Sequence, residues 1–313
     1  MYFEESKIKF EKLKNKENVI VLAIESSCDE TSVAIVKNGR EVLSNVIATQ
    51  IDLHKRFGGV VPEVASRNHI LAIENVFNEA VEKAGITLAD IDAIAVTYGA
   101  GLIGALLVGV NFAKSLAFNL KIPLIAVSHI QGHISANYIS HKTLTPPFIC
   151  LMVSGGHTAI LKVTDYCTHK LLGTTVDDAV GEAFDKVARV LGLAYPGGPN
   201  VDKLAKLGEP NISFIKHEIL KGSYNFSFSG IKTAVINYVH NCEQKNEKIS
   251  VPNVCASFQD YVCGELASKA ILACKNENLN NLVVAGGVSA NSKLKELLEN
   301  SCKQNSCVCN YYF

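Results

Sequence analysis

The stretch of sequence that decides the fold is residues 18–49, NVIVLAIESSCDETSVAIVKNGREVLSNVIAT. Its first ten residues form an apolar run that ends in the polar turn Cys28-Asp29-Glu30. A β-branched run over residues 31–37 then leads into Asn38-Gly39, a pair that tolerates the positive φ angles of a tight hairpin turn. A third apolar run follows over residues 41–49. The stretch therefore predicts three strands joined by short turns.

The rest of the first half alternates helices with strands. We predict helices over residues 62–84 and 103–120 and a third that opens near Ser128, with strands over 91–96 and 123–127. The first of these helices has apolar residues at helical spacing and is followed by Gly85, a frequent helix terminator. The apolar residues at this spacing are Val64, Ile70, Ile73, Val76, Phe77 and Ala80.

The same order of elements then recurs. The second set comprises predicted strands over 147–153, 157–163, 169–174 and 281–285 and helices over 177–191 and 289–298. Three strands joined by tight turns and followed by alternating elements therefore occur twice. We interpret the chain as two related α/β domains, 18–140 and 146–313, with a cleft between them. Residues 192–250 fit the repeat poorly and are interpreted as an insertion in the second domain.

Composition restricts the class of protein. The chain has 313 residues, of which 48% are hydrophobic and 19% charged, which is enough apolar sequence for two domain cores. Thirty Lys and Arg residues balance thirty Asp and Glu residues. That balance argues against a generally polybasic nucleic-acid binder, although it leaves room for a local basic patch.

The sequence also indicates a cellular location. The first 17 residues mix Lys with Glu and lack the apolar core of a secretory signal, so we expect the ten cysteines to be reduced thiols in the cytoplasm. The uncharged stretch 93–113 contains Gly99, Gly101, Gly104 and Gly109. We interpret it as a strand, a turn and a helix rather than a membrane span, and expect no membrane association.

Two glycine pairs follow predicted strands and suggest a site for a nucleotide phosphate. Gly155 and Gly156 follow one strand, and Gly286 and Gly287 follow another. Such pairs let the backbone approach a ligand, and the second pair also opens a predicted helix whose dipole favours an anion. A simple tight turn is the alternative for each pair. Neither pair matches the P-loop or GxGxxG patterns, which disfavours those folds.

A histidine pair is a candidate metal site. His129 and His133 are four residues apart in the helix that opens near Ser128, so they share a helix face and could chelate one metal ion. A chance pairing on the surface is the alternative. A zinc protease of the HExxH type would need Glu directly after the first histidine, and Ile130 stands there.

Carboxylates provide further candidates. Glu25 and Asp29 flank the first turn, where an acid could orient a metal-bound phosphate or a water. Asp177 and Asp178 suit the dipole of the predicted helix over 177–191. Asp185 lies two turns inside that helix, where it could accept hydrogen bonds from ribose hydroxyls or pair with a neighbouring basic residue.

An aromatic run over residues 223–233 interleaves rings with hydroxyl groups and one lysine. It could line a nucleotide-binding surface. The alternative is a hairpin edge that packs its rings inwards.

Eight runs of residues resemble the tRNA N6-adenosine threonylcarbamoyltransferase family in its bacterial, TsaD form. They occur in family order and span most of the chain. They are residues 24–31 (IESSCDET), 62–69 (PEVASRNH), 128–133 (SHIQGH), 153–158 (VSGGHT), 178–186 (DAVGEAFDK), 195–199 (YPGGP), 226–233 (FSFSGIKT) and 285–291 (AGGVSAN).

The resemblance implies a fold, a reaction and partners. The fold would be that of actin, sugar kinases and heat-shock chaperones (ASKHA), with two duplicated domains around an interdomain cleft. The reaction would move a threonylcarbamoyl group from threonylcarbamoyl-AMP to N6 of adenosine 37 in tRNAs that read ANN codons, forming t6A and AMP. Partner proteins of the TsaB and TsaE type are also implied.

The resemblance assigns residues to this reaction. His129 and His133 would hold one divalent ion per subunit, Fe²⁺ or Zn²⁺, which would polarise the acyl carbonyl. The adenylate would be bound by Met152, Val153, Ser154, Gly155, Gly156, Asp185, Gly198, Asp202 and Asn291. Assistance to the exocyclic amine by Glu25 or Asp29 is our own hypothesis.

One motif of the family is missing. The family has a later Cys-Thr-Asp-Asn-type motif whose Asp is the third metal ligand, and no Asp follows Asp260 here. Catalytic metal sites usually supply three protein ligands. We expect a sequence truncated at its C-terminal end, or else a substitute ligand from Cys302, Cys307 or Cys309. The alternative function is an inactive nucleotide-binding scaffold or regulatory subunit of the same machinery.

Overall fold

The computed structural model describes residues 2–214, 220, 222–304 and 308–311. It divides into two units, Met1–Lys142 and Thr143–Phe313. Each unit contains one mixed β-sheet with helices packed against it.

The first unit contains the three strands predicted from residues 18–49 and two further strands. Its strands are β1 (Ile20–Glu25), β2 (Glu30–Lys37), β3 (Glu41–Thr49), β4 (Ala93–Gly99) and β5 (Leu124–Ser128). They form a sheet in the order β3-β2-β1-β4-β5. The first three strands are antiparallel, whereas β4 runs parallel to both β1 and β5.

Helices connect and cover this sheet. They are α1 (Tyr2–Leu13), α2 (Ile51–Lys55), α3 (Pro62–Ala84), α4 (Ile103–Leu120) and α5 (His129–Ser140), with a short 3₁₀ helix at Leu88–Asp90. α3 and α4 have the bounds that the sequence predicted, and Gly85 ends α3 with a left-handed φ of 65°. Ser128 precedes α5 as predicted, although its side chain makes no capping hydrogen bond.

The core of this unit lies between the sheet and helices α3 and α4. Ile73, Val76, Phe77 and Ala80 of α3 pack against buried strand residues, as the helical pattern predicted. Ile70 does not, although it belongs to the same apolar pattern, because it is 64% exposed. The buried face of α3 is therefore narrower than the apolar pattern.

Within the described residues, α4 is the one helix long and apolar enough to cross a membrane by length and composition. It follows β4 and a glycine-containing turn, so residues 93–113 do fold as a strand, a turn and a helix. Core helices of folded proteins have the same composition, so this property alone is weak support for a membrane span.

The second unit repeats the topology of the first. Its strands are β6 (Phe148–Val153), β7 (Thr158–Asp165), β8 (Thr168–Thr174), β9 (Asn281–Ala285) and β10 (Val308–Tyr311). Their order is β10-β9-β6-β7-β8, with β9 parallel to both β6 and β10. Read from the other end, this is the order of the first sheet with β6 in place of β1. The predicted duplication of an α/β unit is confirmed, while β10 was missed by the sequence analysis.

The helices of the second unit are α6 (Val180–Val190), α7 (Gly197–Ala205), α8 (Ser229–Gln244), α9 (Val251–Asn276) and α10 (Ser292–Gln304). The helix predicted over 289–298 is a 3₁₀ turn at Gly287–Ala290 followed by α10. In the aromatic run, Phe226 and Phe228 are buried and stacked, with ring centroids 5.8 Å apart. The inward-packing alternative is therefore correct for these two rings, which lead into α8 rather than into a hairpin.

Close packing between α6 and the turn after β6 depends on one glycine. A Cβ atom added at Gly181 would lie 2.7 Å from both the Gly155 Cα and the Ser154 carbonyl oxygen. The Gly181 amide donates a hydrogen bond to that same oxygen at 3.2 Å. Because the obstructing atoms belong to the backbone, they cannot rotate away.

We expect Gly181→Ala to lower the free energy of unfolding of the second unit by about 1–3 kcal/mol, the usual cost of overpacking. The matched control is Gly264→Ala in α9, where a Cβ has no atom within 4 Å. That variant should gain up to about 1 kcal/mol, because alanine favours a helix more than glycine does. Urea denaturation of both variants measures the difference, and equal stabilities would contradict the close approach.

Candidate functional site

The candidate site of the first unit lies at the carboxyl ends of three neighbouring strands. Glu25 is the last residue of β1, Thr97 lies near the end of β4, and His129 directly follows β5. In the registers of these parallel pairs, Ile24 is opposite Val96 and Thr97 is opposite Val127. Parallel strands end at the same edge of a sheet, so residues far apart in sequence meet there.

Glu25 is held by several hydrogen bonds. Its Oε1 accepts the Ser27 amide at 2.6 Å, and its Oε2 accepts the Thr97 hydroxyl and lies 3.5 Å from the His129 Nδ1. Burial alone would raise the pKa of Glu25, but the hydrogen bonds from His129, Ser27 and Thr97 outweigh burial and lower the pKa to about 2. Glu25 is therefore a carboxylate at neutral pH.

The two candidate metal ligands lie close together. The ring centroids of His129 and His133 are 4.4 Å apart, and the ring planes are inclined by 81°. Nδ1 of His129 faces Glu25 and, at 3.2 Å, the Ser27 hydroxyl. A carboxylate on one imidazole nitrogen commonly orients a histidine that binds a metal through the other nitrogen. This pair thus fits two ligands of a metal ion.

A third protein ligand does not join them in the described part of the chain, where no group of three His, Cys, Asp or Glu side chains could hold an ion. Of the three cysteines considered as substitutes, Cys302 is buried in α10 and Cys309 lies in β10, both in the second unit. Cys307 lies outside the described residues.

Two glycine turns lie side by side in the second unit. β6 and β9 are parallel, with Met152 opposite Ala285, so the turns that follow them are neighbours. Gly286 has a φ of 99°, and a Cβ there would lie 2.5 Å from the Val153 carbonyl oxygen, so the fold itself requires this glycine. Met152 and Val153 are fully buried in β6, so their predicted contact with the adenylate stays a prediction.

Gly155, Gly156 and Gly287 differ from Gly286. None has a positive φ, and a Cβ added at any of them would have no atom within 4 Å. The same holds for Gly198 at the start of α7. Local packing therefore does not explain these glycines, and open space for another molecule lies in front of each.

Asp185 and Asp202 are bound to backbone amides of other helices. Asp185 Oδ1 accepts the Gly197 amide at 2.7 Å. Burial raises the pKa of Asp185, and hydrogen bonds from the Gly197 and Gly198 amides only partly offset that effect. Asp202 Oδ1 accepts both the amide and, at 2.7 Å, the hydroxyl of Ser292.

Asn291 caps a helix. Its Oδ1 accepts the amides of Lys293 and Leu294, both at 3.0 Å, and its Nδ2 donates to Gln259 at 2.9 Å. The amides at the start of α10, which the sequence predicted to attract an anion, are therefore bound by this side chain. The predicted contacts of Asp185, Asp202 and Asn291 with the adenylate stay predictions.

The hypothesis that Asp177 and Asp178 serve the dipole of the predicted helix over 177–191 is wrong, because α6 begins only at Val180. Asp177 instead accepts the amides of Phe228 and Ser229 at the start of α8, at 2.7 and 3.2 Å. Asp178 bonds two lysine amines, Lys186 at 2.9 Å and Lys232 at 2.6 Å. The loop before α6 thereby anchors α8, about 50 residues further along the chain.

Sequence reasoning missed Ser27 and Thr97, which bind Glu25. Ser27 carried a signal, since it lies in the same turn as Glu25 and Asp29. Thr97 could have been found from strand order, because β4 follows a crossover and its end must lie beside that of β1.

We expect Asp178→Asn to destabilise the second unit by about 1–3 kcal/mol at pH 7, as is usual for lost hydrogen bonds between charged groups. Burial raises the pKa of Asp178, but hydrogen bonds from Lys232, Lys186 and Ser229 outweigh it and lower the pKa below the ordinary value of 3.8. The stabilisation is therefore complete above pH 3.8 and is lost as the pH falls through the lower, folded-state pKa.

Urea denaturation at several pH values tests this expectation. The loss in Asp178→Asn should shrink as the pH falls below 3.8 and through the lowered pKa of the folded-state carboxylate. Asp165→Asn, at an exposed carboxylate of the same unit, is the control and should change the stability by less than about 0.5 kcal/mol. A loss in Asp178→Asn that does not depend on pH would contradict the charge assignment.

Solved structures identify the class of fold. The chain is similar to full-length HypF in its phosphate- and nucleotide-bound form, with a TM-score of 0.63 and 16% identity over 94% of this chain and 44% of that one. It is also similar to component A of the Acidaminococcus fermentans (R)-2-hydroxyglutaryl-CoA dehydratase, with a TM-score of 0.52 and 13% identity over 95% and 92% of the two chains. These likenesses show the fold alone, the two-unit α/β fold of the ASKHA class.

Sequence comparisons identify the family. Residues 41–312 match the TsaD family, described as tRNA N6-adenosine threonylcarbamoyltransferase. The chain is 59% identical over 280 residues to the Clostridium perfringens (strain SM101) protein of that name, covering 89% of this chain and 83% of the relative. It is 54% identical over 295 residues to that of Clostridioides difficile (strain 630), covering 94% and 87%. The chain therefore belongs to the tRNA N6-adenosine threonylcarbamoyltransferase family, which confirms the predicted family and enzyme class.

Proposed function

We propose that the chain transfers the threonylcarbamoyl group of threonylcarbamoyl-AMP to N6 of adenosine 37 in tRNAs that read ANN codons. The exocyclic amine forms a bond to the carbamoyl carbon, the bond from that carbon to the AMP phosphate breaks, and the amine loses a proton. The products are t6A and AMP. The observation that carries this proposal is the family match over residues 41–312.

The glycine turns of the second unit support adenylate binding. Gly155, Gly156 and Gly287 have space in front of them that the fold does not use. Backbone amides in such a turn suit a phosphate, because they donate hydrogen bonds without a side chain in the way. We assign the AMP phosphate to these turns and the rest of the adenylate to the neighbourhood of Asp185, Gly198, Asp202 and Asn291.

Two carboxylates of the first unit have different roles. Both oxygens of Glu25 accept hydrogen bonds from Ser27 and Thr97, and one faces His129, so Glu25 orients the imidazole rather than touching the amine. Asp29 is half-buried at the far side of the same turn. We therefore assign Asp29 rather than Glu25 to accept the proton of the attacking amine, which narrows the earlier hypothesis.

A divalent ion, Fe²⁺ or Zn²⁺, fits the imidazole pair of His129 and His133. When bound, such an ion polarises a carbonyl oxygen and stabilises a departing phosphate as a Lewis acid. Glu25 and Ser27 keep the His129 ring in one orientation whether or not an ion is bound. Because two imidazoles are fewer protein ligands than catalytic sites usually have, we propose that substrate oxygens help to hold the ion.

The family name states that its members act on tRNA. We propose in addition that partner proteins of the TsaB and TsaE type assist this chain in the cytoplasm. An apolar groove of about 530 Å³ between α3 and α4 supports a protein partner, since Ile70 and Leu107 in its wall are more than half exposed. Exposed apolar patches of this kind commonly mark protein interfaces.

A transfer assay tests the function. Unmodified tRNA, threonylcarbamoyl-AMP and the chain are incubated with and without the partner proteins, and tRNA nucleosides are analysed by mass spectrometry. We expect t6A only when the partners are present. Asp29→Asn should lower the rate by about 100-fold or more, as loss of a general base does, with unchanged adenylate binding.

Leu107→Arg, in the exposed groove, should abolish t6A formation in the presence of the partner proteins by preventing their association, while adenylate binding stays unchanged. Adenylate binding without any t6A would contradict the transferase proposal and support the scaffold alternative. Product formed equally well without partners would contradict only the partner proposal.

Metal binding has its own test. We expect the chain to take up Fe²⁺ or Zn²⁺ in the presence of the adenylate, and His133→Ala to weaken that uptake by about tenfold or more. Elemental analysis after gel filtration measures the uptake. His169→Ala, at an exposed histidine of β8, is the control and should bind as the wild type does. Equal uptake by His133→Ala would place the ion elsewhere.

A further inference from the structure

The turn between β1 and β2 comprises residues 26–29. Each of these four consecutive residues forms a hydrogen bond with a group elsewhere in the first unit. The Ser26 hydroxyl donates to the Ala105 carbonyl of α4 at 2.9 Å. The amide of Leu102, just before α4, donates to the Ser27 carbonyl at 2.7 Å, and the amide of Gln50, just before α2, donates to the Asp29 carbonyl at 3.0 Å.

His69 forms the remaining hydrogen bond, to Cys28. This histidine lies on α3 and is fully buried. Its Nε2 is 3.0 Å from the Cys28 carbonyl oxygen, and its Nδ1 is 2.7 Å from the Thr31 hydroxyl. A carbonyl oxygen can only accept, so Nε2 carries a hydrogen and donates it, and Nδ1 can then accept from Thr31.

We propose that His69 is a positioning residue for threonylcarbamoyl transfer, because its hydrogen bond to Cys28 fixes the turn that places Ser27 and Asp29. The inference rests on the proposed function for its catalytic consequence. His69 itself contacts neither Glu25 nor His129 in the hydrogen bonds that define the site.

The neighbours of Cys28 explain why this bond matters. Ser27, on one side, has its hydroxyl 3.2 Å from the His129 Nδ1 and its amide 2.6 Å from Glu25. Asp29, on the other side, is the proposed proton acceptor. A shift of about 1 Å in the turn would break the first contact and displace the second group, and displacements of that size cost about 100-fold in rate.

A histidine suits this place better than an apolar residue does. The hydrogen bond to the Cys28 carbonyl is partly buried, and a carbonyl left without a donor in such a setting is costly. The other hydrogen bonds of the turn involve Ser26, Ser27 and Asp29, whereas the Cys28 carbonyl is bound by His69. α3 therefore holds the turn by a directional bond at its centre, where packing alone would allow it to slide.

Two isosteric variants separate the two bonds of His69. Glutamine can place its Nε2 near the imidazole Nε2 and keep the donor to Cys28. Asparagine matches the Nδ1 position, keeps a group near Thr31 and is too short to reach Cys28. The matched control is Ser44→Ala, which removes another buried bond to α3, from Ser44 Oγ to the Ala80 carbonyl at 2.7 Å, far from the turn.

We expect His69→Asn to lower kcat by about 100-fold. The KM for the adenylate should change by less than about threefold, because the residues assigned to the adenylate lie in the second unit. His69→Gln should keep kcat within about threefold of the wild type, and Ser44→Ala should lower the Tm with kcat unchanged.

Hydrogen exchange provides a readout that does not depend on activity. Peptides covering residues 24–33 should exchange faster in His69→Asn than in the wild type, and not in His69→Gln or Ser44→Ala. If the wild type makes no t6A, the proposed function fails and hydrogen exchange alone decides whether His69 fixes the turn. Wild-type exchange of residues 24–33 in His69→Asn, or a kcat equal to that of Ser44→Ala, would overturn the inference.

Discussion

Parallel pairing of the first strand of each unit with its fourth strand is the constraint on which both candidate sites depend. In the first unit it places the ends of β1 and β4 side by side, so that Glu25 and Thr97 can share a hydrogen bond. In the second unit the same pairing, of β6 with β9, sets two glycine turns next to each other. The strands β2, β3, β7 and β8 carry none of the residues assigned to the sites. The turn that precedes β2 carries Ser27 and Asp29.

The two units use this edge in chemically different ways. The first unit places side chains there, with one carboxylate, two hydroxyls and two imidazoles within a short distance of one another. The second unit places mainly backbone there, because its acids are bound internally. Asp177 and Asp185 accept amides at the starts of α8 and α7, which satisfies groups that a helix end would otherwise leave unpaired. The first unit thus offers side chains that suit ligation of an ion, while the second offers the backbone turns to which we assign the phosphate.

Much of the fold was predictable because proline, glycine and asparagine mark the ends of several helices and strands in the sequence. Pro62 and Gly85 bracket α3, and Asn38-Gly39 makes the hairpin, so these bounds need no knowledge of the rest of the chain. The failures involve distant partners. Ile70 follows the apolar pattern of α3, but only the sheet decides how wide the buried face is. β10 is four residues long and gains its place by pairing with β9. Similarly, the sequence pointed to Glu25 and His129, yet 104 residues separate them and their contact depends on strand order.

The glycines of the second unit separate two reasons why a protein keeps a residue without a side chain. At Gly286 the backbone angle and the nearby Val153 carbonyl forbid anything larger, so a replacement there damages the folded state itself. At Gly155 and Gly156 the polypeptide could accommodate a methyl group without distortion. If these glycines bind the phosphate as we propose, a replacement there should leave the folded state intact and weaken only ligand binding. Such a variant would fold like the wild type but bind less ligand. Substitution of Gly155 or Gly156 therefore separates the effect on folding from the effect on ligand binding.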